Sequence, residues 1–444
     1  MNKLYLFLVL LSWTCSYQAA FACEETTQLE QAVQNHDAKK VKDLLSWHFI
    51  SPPSTDVNEI DCYGSTALHI AASCGTVGPG APPTLCRSSD TEIIETLIAK
   101  GANVDSSDAS GGTPLMTAAS FGHTDIVNLL IKAKAKLNTM DSTGFTALID
   151  ALWNSYDDSN LATTKALIAA GADLNLTKQL GTPLTIAAGS GNIESTKALI
   201  AAGADINAGV DPPITAASTV DIVRTLIAAG ASLNSKDIDG DTALMNAVGS
   251  GDSKLALYLL SVNSTAINDQ NYAGDTALNL AIEFNQISNL EHRTAQFDLH
   301  ILISAGANLD VTAPILNAAA DYSEYDDFID VSTLASAGAN LNVRNKDGDT
   351  ALILATGYGH HNSAKILIDS GANPDILGNH GFTALIVAAS NGDLEIIKAL
   401  IAAKANLNIC SSFGGSALWI AKNNGYDDAA KLIANSGGTS CKPH

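Results

Sequence analysis

Hydrophobic and polar positions along this chain follow a beat that recurs about every 33 residues. In one full beat a threonine opens a short apolar run, Thr383-Ala-Leu-Ile-Val-Ala-Ala-Ser390, and Gly392-Asp393 interrupts it. A second run, Leu394–Ala402, places Ile396, Ile397, Leu400 and Ile401 at helical spacing. A polar loop, Asn406–Gly415, follows, with glycine near its tip. The pattern predicts two short helices and a turn per unit, the first helix capped by its threonine. Neither apolar face is wide enough to hold a helix alone. Each unit must therefore bury its face against the next, so the chain reads as a stack of units rather than a globule.

The beat can be followed by its threonine or the residue that replaces it: Thr66, Thr113, Thr146, Thr182, Pro212, Thr242, Thr276, Ala313, Thr350, Thr383 and Ser416. Thr113 to Thr146, Thr350 to Thr383 and Thr383 to Ser416 are each 33 steps. Thr66 to Thr113 is 47, which marks a 14-residue insertion. A worn unit precedes these in Leu29–Leu45, giving twelve units from about Thr26 to about Asn435. Two units follow shortened loops, with 9 steps from Gly203 to Pro212 and 7 from Gly306 to Ala313, against 12 in a full unit. Those two hairpins are expected to be missing.

The repeated segments resemble the ankyrin repeat. The residues that carry the likeness are Thr66-Ala-Leu-His-Ile-Ala71, Thr113-Pro-Leu-Met-Thr-Ala118, Thr182-Pro-Leu-Thr-Ile-Ala187 and Thr383-Ala-Leu-Ile-Val-Ala388. The breaks Gly122-His123, Gly191-Asn192 and Gly359-His360 add to it. The resemblance implies an all-α repeat solenoid of helix-turn-helix units joined by β-hairpin loops, working by protein binding. The expected organisation is a leader at 1–22, an N-terminal capping unit at 23–61 and a repeat array at 62–410, with the insertion near 75–88. A C-terminal capping unit at 411–436 and a tail at 437–444 complete it.

The N-terminus reads as an export signal: Lys3, an apolar run Leu4–Trp13, and the cleavage pattern Ala20-Phe21-Ala22. The run is too short to span a bilayer as a mature helix. The mature chain would begin at Cys23. A lipid anchor there stays open, although Ala20 and Phe21 fit a lipobox poorly. The expected compartment is periplasmic or secreted. Six cysteines then remain, Cys23, Cys62, Cys74, Cys86, Cys410 and Cys441, all near the two ends of the array. In an oxidising compartment they suggest disulfides, which would offset fraying of the terminal units. The expected pairs are Cys74–Cys86 across the insertion, Cys410–Cys441 at the tail and Cys23–Cys62 at the front. No metal set is expected, since no C-x-x-C pair occurs and the histidines are scattered.

Charge changes the picture of the partner. The chain carries a net −22, and losing Lys3 with the leader makes it −23. Nucleic acid and an anionic membrane are disfavoured, because binding them rests on Lys and Arg. A basic or mixed protein surface is the expected counterpart. The chain is expected to be a monomer that uses no cofactor. Asp237-Ile-Asp-Gly-Asp-Thr242 resembles a calcium loop, but no acid stands at the twelfth position, Val248, and other units carry the same turn. No phosphate loop or nucleophile elbow stands out, so no catalytic residue is assigned and the chain is not read as an enzyme.

The candidate contact residues come from positions that packing leaves free. These lie just before the threonine and seven or eight residues after it. They are Phe121, Phe145, Trp153, Phe284, Tyr358 and Phe382, with Asp239, Asp241, Asp275 and Asp349. Aromatic and charged groups together suit the centre of an interface. Other readings left open are an accessory role beside an envelope enzyme, a secreted bacterial effector, and a regulator or enzyme that takes small molecules at the shortened units.

Overall fold

The computed structural model describes residues 27–46, 56–74, 87–153, 160–176, 181–290, 297–310 and 328–441, except the side chains of 286–290, 328 and 329. The leader, Cys23, Cys86, most of the insertion and the first half of the unit opened by Ala313 lie outside the described residues. The chain divides into two compact units, Met1–Ile238 and Asp239–His444.

Each unit is built from helix pairs. The first holds α1 (Gln28–Gln34) with α2 (Ala38–Leu44), and α3 (Ala67–Ala72) with α4 (Ser88–Ala99). There follow α5 (Pro114–Ser120) with α6 (Thr124–Lys132), and α7 (Ala147–Trp153) with α8 (Leu161–Ala169). Then come α9 (Pro183–Gly189) with α10 (Ile193–Ala201), and α11 (Pro213–Ala216) with α12 (Val220–Ala228). The second holds α13 (Ala243–Gly249) with α14 (Ser253–Val262), α15 (Ala277–Leu290) with α16 (His300–Ser304), and α17 (Phe328–Ser336). It closes with α18 (Ala351–Tyr358) and α19 (His361–Asp369), α20 (Ala384–Asn391) and α21 (Leu394–Ala402), and α22 (Ala417–Asn423) and α23 (Asp427–Asn435).

The caps follow the sequence. Thr146 Oγ1 accepts a hydrogen bond from Ile149 N at 3.3 Å, Thr383 Oγ1 from Ile386 N at 3.3 Å, and Ser416 Oγ from Trp419 N at 3.4 Å. In these units the leucine two places later, Leu148, Leu385 or Leu418, is buried, and so are Ala151 and Leu152 in the first and Ala388 and Ala389 in the second. Burying each leucine contributes roughly 1.5–3 kcal/mol. First helices pack on first helices and second helices on second, so each layer is continuous in Met1–Ile238 and again from Ala351 onward in the other unit.

Two helices differ in length from the rest. The second helix of the interrupted repeat runs for 12 residues from Ser88. Asp90 explains this: its carboxylate accepts from Arg87 N at 2.7 Å and closes the helix start early. Helix α15 runs for 14 residues where most first helices have six to eight. The glycine that stops other first helices is replaced by Asn285, whose side chain accepts from Phe297 N at 2.7 Å and donates to Phe297 O at 3.1 Å.

The hairpin loops are tight turns; among the described residues no strand forms, and isolated bridges such as Ile60–Thr66 and Cys410–Ser416 take its place. An Asp or Asn five places before the threonine builds most of these turns, with Gly378 and Ser411 in its place in the last two. Asp141 Oδ1 accepts from Thr143 N at 2.9 Å and from Phe145 N at 2.8 Å, and Asn345 Oδ1 does the same for Asp347 N and Asp349 N. Successive turns are joined by single backbone bonds, such as Ser142 N to Ser110 O at 2.9 Å and Ser412 N to His380 O at 2.9 Å. One bond per turn is too short a ladder to make a strand.

A second ladder runs behind the second helices. Asn138 Oδ1 accepts from Asp173 N at 2.9 Å, and Asn175 Oδ1 from Asp205 N at 2.9 Å. In the other unit Asn342 Oδ1 accepts from Asn373 N at 2.8 Å, and Asp375 Oδ1 from Asn406 N at 2.8 Å. At the end of the chain the tail takes the place of a next repeat. Thr439 N donates to Asn408 Oδ1 at 2.7 Å, and Ser416 Oγ donates to Thr439 O at 2.8 Å. Cys410 and Cys441 form a disulfide there, with Cα atoms 6.4 Å apart. Cys62 and Cys74 are disulfide-bonded too.

Candidate interaction surface

Counting from the capping threonine, three positions per repeat reach the surface of the first-helix face. The residue before the threonine is half-buried in Phe145, Asp241, Asp275, Asp349 and Phe382. Seven or eight places after it, Trp153 and Phe284 are half-buried, while Phe121 and Tyr358 are 37% and 43% exposed. The third position, four places after the threonine, was absent from the sequence reading. It is half-buried in Ile70, Thr117, Asp150, Leu354, Val387 and Ile420. Its signal was available: one helical turn beyond the threonine, it changes character from repeat to repeat while the packed leucine and alanine do not.

The structure brings some candidates together and gives others internal work. Phe145 and Trp153 meet, with ring centroids 5.2 Å apart. Phe121 stacks on His123 at 5.7 Å, and Tyr358 lies beside His360 at 5.9 Å. Phe382 joins His380 and Phe413 in a three-ring group, with centroids 5.3–6.5 Å apart, and Phe413 is 63% exposed. Phe284 covers the break of the preceding repeat, its ring occupying the space a side chain on Gly251 would need.

The acids are mostly engaged. Asp349 Oδ1 accepts from Asn379 N of the next turn at 2.7 Å, and Asp241 Oδ1 from Asn271 Nδ2 at 2.8 Å. Asp239 is exposed and its carbonyl accepts from Tyr272 N at 3.1 Å. Asp275 is held in its turn by Asn271, which accepts from Asp275 N at 2.8 Å. Asp241 and Asp349 thus tie neighbouring turns, and their carboxylates have less freedom to meet a partner than the rings do.

Three groups on or behind this face are shifted from their ordinary protonation. Burial pushes the Asp150 carboxyl well above the usual carboxylate range, and nearby Asp141 pushes it the same way. Burial lowers His69, against opposing hydrogen bonds and acidic neighbours. Burial lowers His123 as well. Each shift favours the uncharged form, because an apolar surrounding cannot solvate charge.

Models of ankyrin repeats in three copies match residues 84–178, 214–292, 292–378 and 315–411, and a single ankyrin repeat model matches 181–209. Among solved structures the chain is similar to the human ASB11 ankyrin repeat domain, at 23% identity and a TM-score of 0.45, over 54% of this chain and 98% of that one. With helix pairs, threonine caps, glycine breaks and matched models over most of its length, this chain belongs to the ankyrin repeat family.

Proposed function

We propose that this protein is a non-catalytic binding array that engages another protein after export, through the first-helix face and the adjoining turns. The observation that carries this reading is the set of aromatic and acidic groups that reach the surface of the first-helix face in each unit: Phe121, Phe145, Asp150 and Trp153 in one, Tyr358 and Phe382 in the other. Aromatic anchors with a polar rim suit an interface core, and ankyrin repeats generally act as protein interaction modules. The net charge of −22 favours a partner with a basic or mixed surface. The Cys410–Cys441 disulfide supports work in an oxidising compartment, as does the leader-like N-terminus.

The test is capture by the purified chain from its own compartment, followed by titration of the captured protein against variants. Trp153→Ala and Tyr358→Ala should each weaken binding about 5–30-fold, the effect of losing 1–2 kcal/mol, while helical content by circular dichroism stays unchanged. Wild-type affinity in both variants would remove this face from the interface. Lost helicity in both would place the rings in the core instead.

A further inference from the structure

Asp150 stands out on the first-helix face because its repeat position is uncharged elsewhere. The equivalent residues include Ile70, Thr117, Ile186, Leu354, Val387 and Ile420. Among the described residues its surroundings provide nothing to neutralise it. The flanking helices α5 (Pro-Leu-Met-Thr-Ala-Ala-Ser) and α9 (Pro-Leu-Thr-Ile-Ala-Ala-Gly) carry no charged residue. On α8, which packs against its own helix, the one charge is Lys165, and that residue is exposed. The charged neighbour that does act on it is Asp141, of like sign. Among the described residues no hydrogen bond or ion pair holds the Asp150 carboxyl.

The aromatic pair completes the arrangement. Trp153 follows Asp150 by three residues, and long helical side chains lean back toward the N-terminus over that neighbour. Its ring meets Phe145, from the residue before the cap, at 5.2 Å. Trp153 thus stands one helical turn from a half-buried carboxyl, with Phe145 against its ring. A neutral residue, such as Thr117 or Ile186 in the repeats on either side, would cost less here.

We propose that Asp150 is the anchor for an arginine side chain of the bound protein, with Trp153 and Phe145 as the surfaces on which its guanidinium lies. This rests on the binding-array reading above. The chemistry fits arginine better than lysine. A planar guanidinium stacks on an aromatic face and bonds a carboxylate through two parallel N–H donors, which an ammonium cannot do. The direction of the Asp150 shift agrees with this: burial favours the uncharged carboxyl, and a bound cation would supply the charge that stabilises its ionised form.

The experiment uses the full mature chain and N-acetylarginine amide, with N-acetylcitrulline amide as the uncharged isostere. Binding is read from the Trp153 indole N–H resonance, assigned with Trp153→Phe. A saturable shift is expected with the arginine compound, at least tenfold tighter than with citrulline and tighter at pH 8 than at pH 5. Asp150→Asn should reduce the arginine affinity at least tenfold. Asp150→Ile should keep or raise the thermal midpoint, since it installs the residue a neighbouring repeat uses. The proposal falls if the arginine compound gives no saturable shift, if Asp150→Asn binds it like the wild type, or if Asp150→Ile lowers the midpoint. If the captured protein then still responds to Trp153→Ala and Tyr358→Ala, the binding-array reading survives without this anchor. If it responds to neither, that reading fails separately.

Discussion

His69 shows what one repeat position does when it keeps its polar side chain. Its Nδ1 accepts from Thr66 N at 3.1 Å, and its Nε2 lies 3.2 Å from the Gly112 carbonyl of the next repeat, as donor. The neutral ring with the proton on Nε2 satisfies both contacts. A second proton on Nδ1 would oppose the Thr66 amide, and burial disfavours the charge. The sign follows. A histidine whose folded pKa is lowered contributes its full stability above the unfolded value, about 6.5, and loses it as pH falls below. Thermal unfolding should therefore show a midpoint that drops between pH 7.5 and 5.5. His69→Gln, which removes the titrating ring, should flatten that drop. An unchanged pH profile in the variant would assign the loss elsewhere, with His123 the next group to test. Glu30 and Asp150 work in the opposite sense, since burial raises them. Their contribution is present below about pH 4 and is lost as pH rises through their folded values.

At the level of the helix pair, the break between helices decides where each repeat ends. Gly392 follows α20 at φ 70°, in the left-handed region, and the Tyr426 ring of the next repeat fills the space a methyl group would enter. Gly392→Ala should cost about 1–2 kcal/mol for the backbone alone, and more for displacing the ring. For a unit of this size that is a fall of roughly 2–8 °C in the unfolding midpoint. Gly203→Ala is the control, because its added methyl meets nothing within 4 Å, though its φ of 91° is also left-handed. Equal losses in the two variants would show that the Tyr426 contact is unimportant. Helix α15 illustrates the converse: with Asn285 in place of the glycine, the helix continues to Leu290.

For the whole molecule, stability is a sum of repeats and their neighbours, so the ends are the weak points. The C-terminal end is closed by the tail, which borrows the ladder position of a further repeat and is fastened by Cys410–Cys441. A crosslink spanning 31 residues stabilises by about 3–4 kcal/mol in the chain-entropy account. Cys441→Ser should lower the midpoint and raise amide exchange in α22 and α23, while Met1–Ile238 is unaffected. Uniform exchange throughout Asp239–His444 would show instead that the second unit opens all at once.

What the sequence determined by itself was whatever is local and periodic. The threonine caps, the buried leucine and alanine positions and the glycine breaks recur at one spacing, and α20 and α21 fall within a residue of where the pattern puts them. Such features depend on residues a few places apart, so one repeat explains the next. What only the tertiary structure decided depends on residues about thirty apart. Asp349 reads as a free acid until Asn379 N is found on it, and Phe284 reads as a free ring until Gly251 is found beneath it. Asp150 was missed for the same reason. Nothing in its own repeat marks it out; that follows from two flanking helices without charge and from a tryptophan one helical turn away that meets a phenylalanine. Periodicity states which side of a helix faces inward, whereas the packing of one repeat on another states which exposed groups remain free to bind.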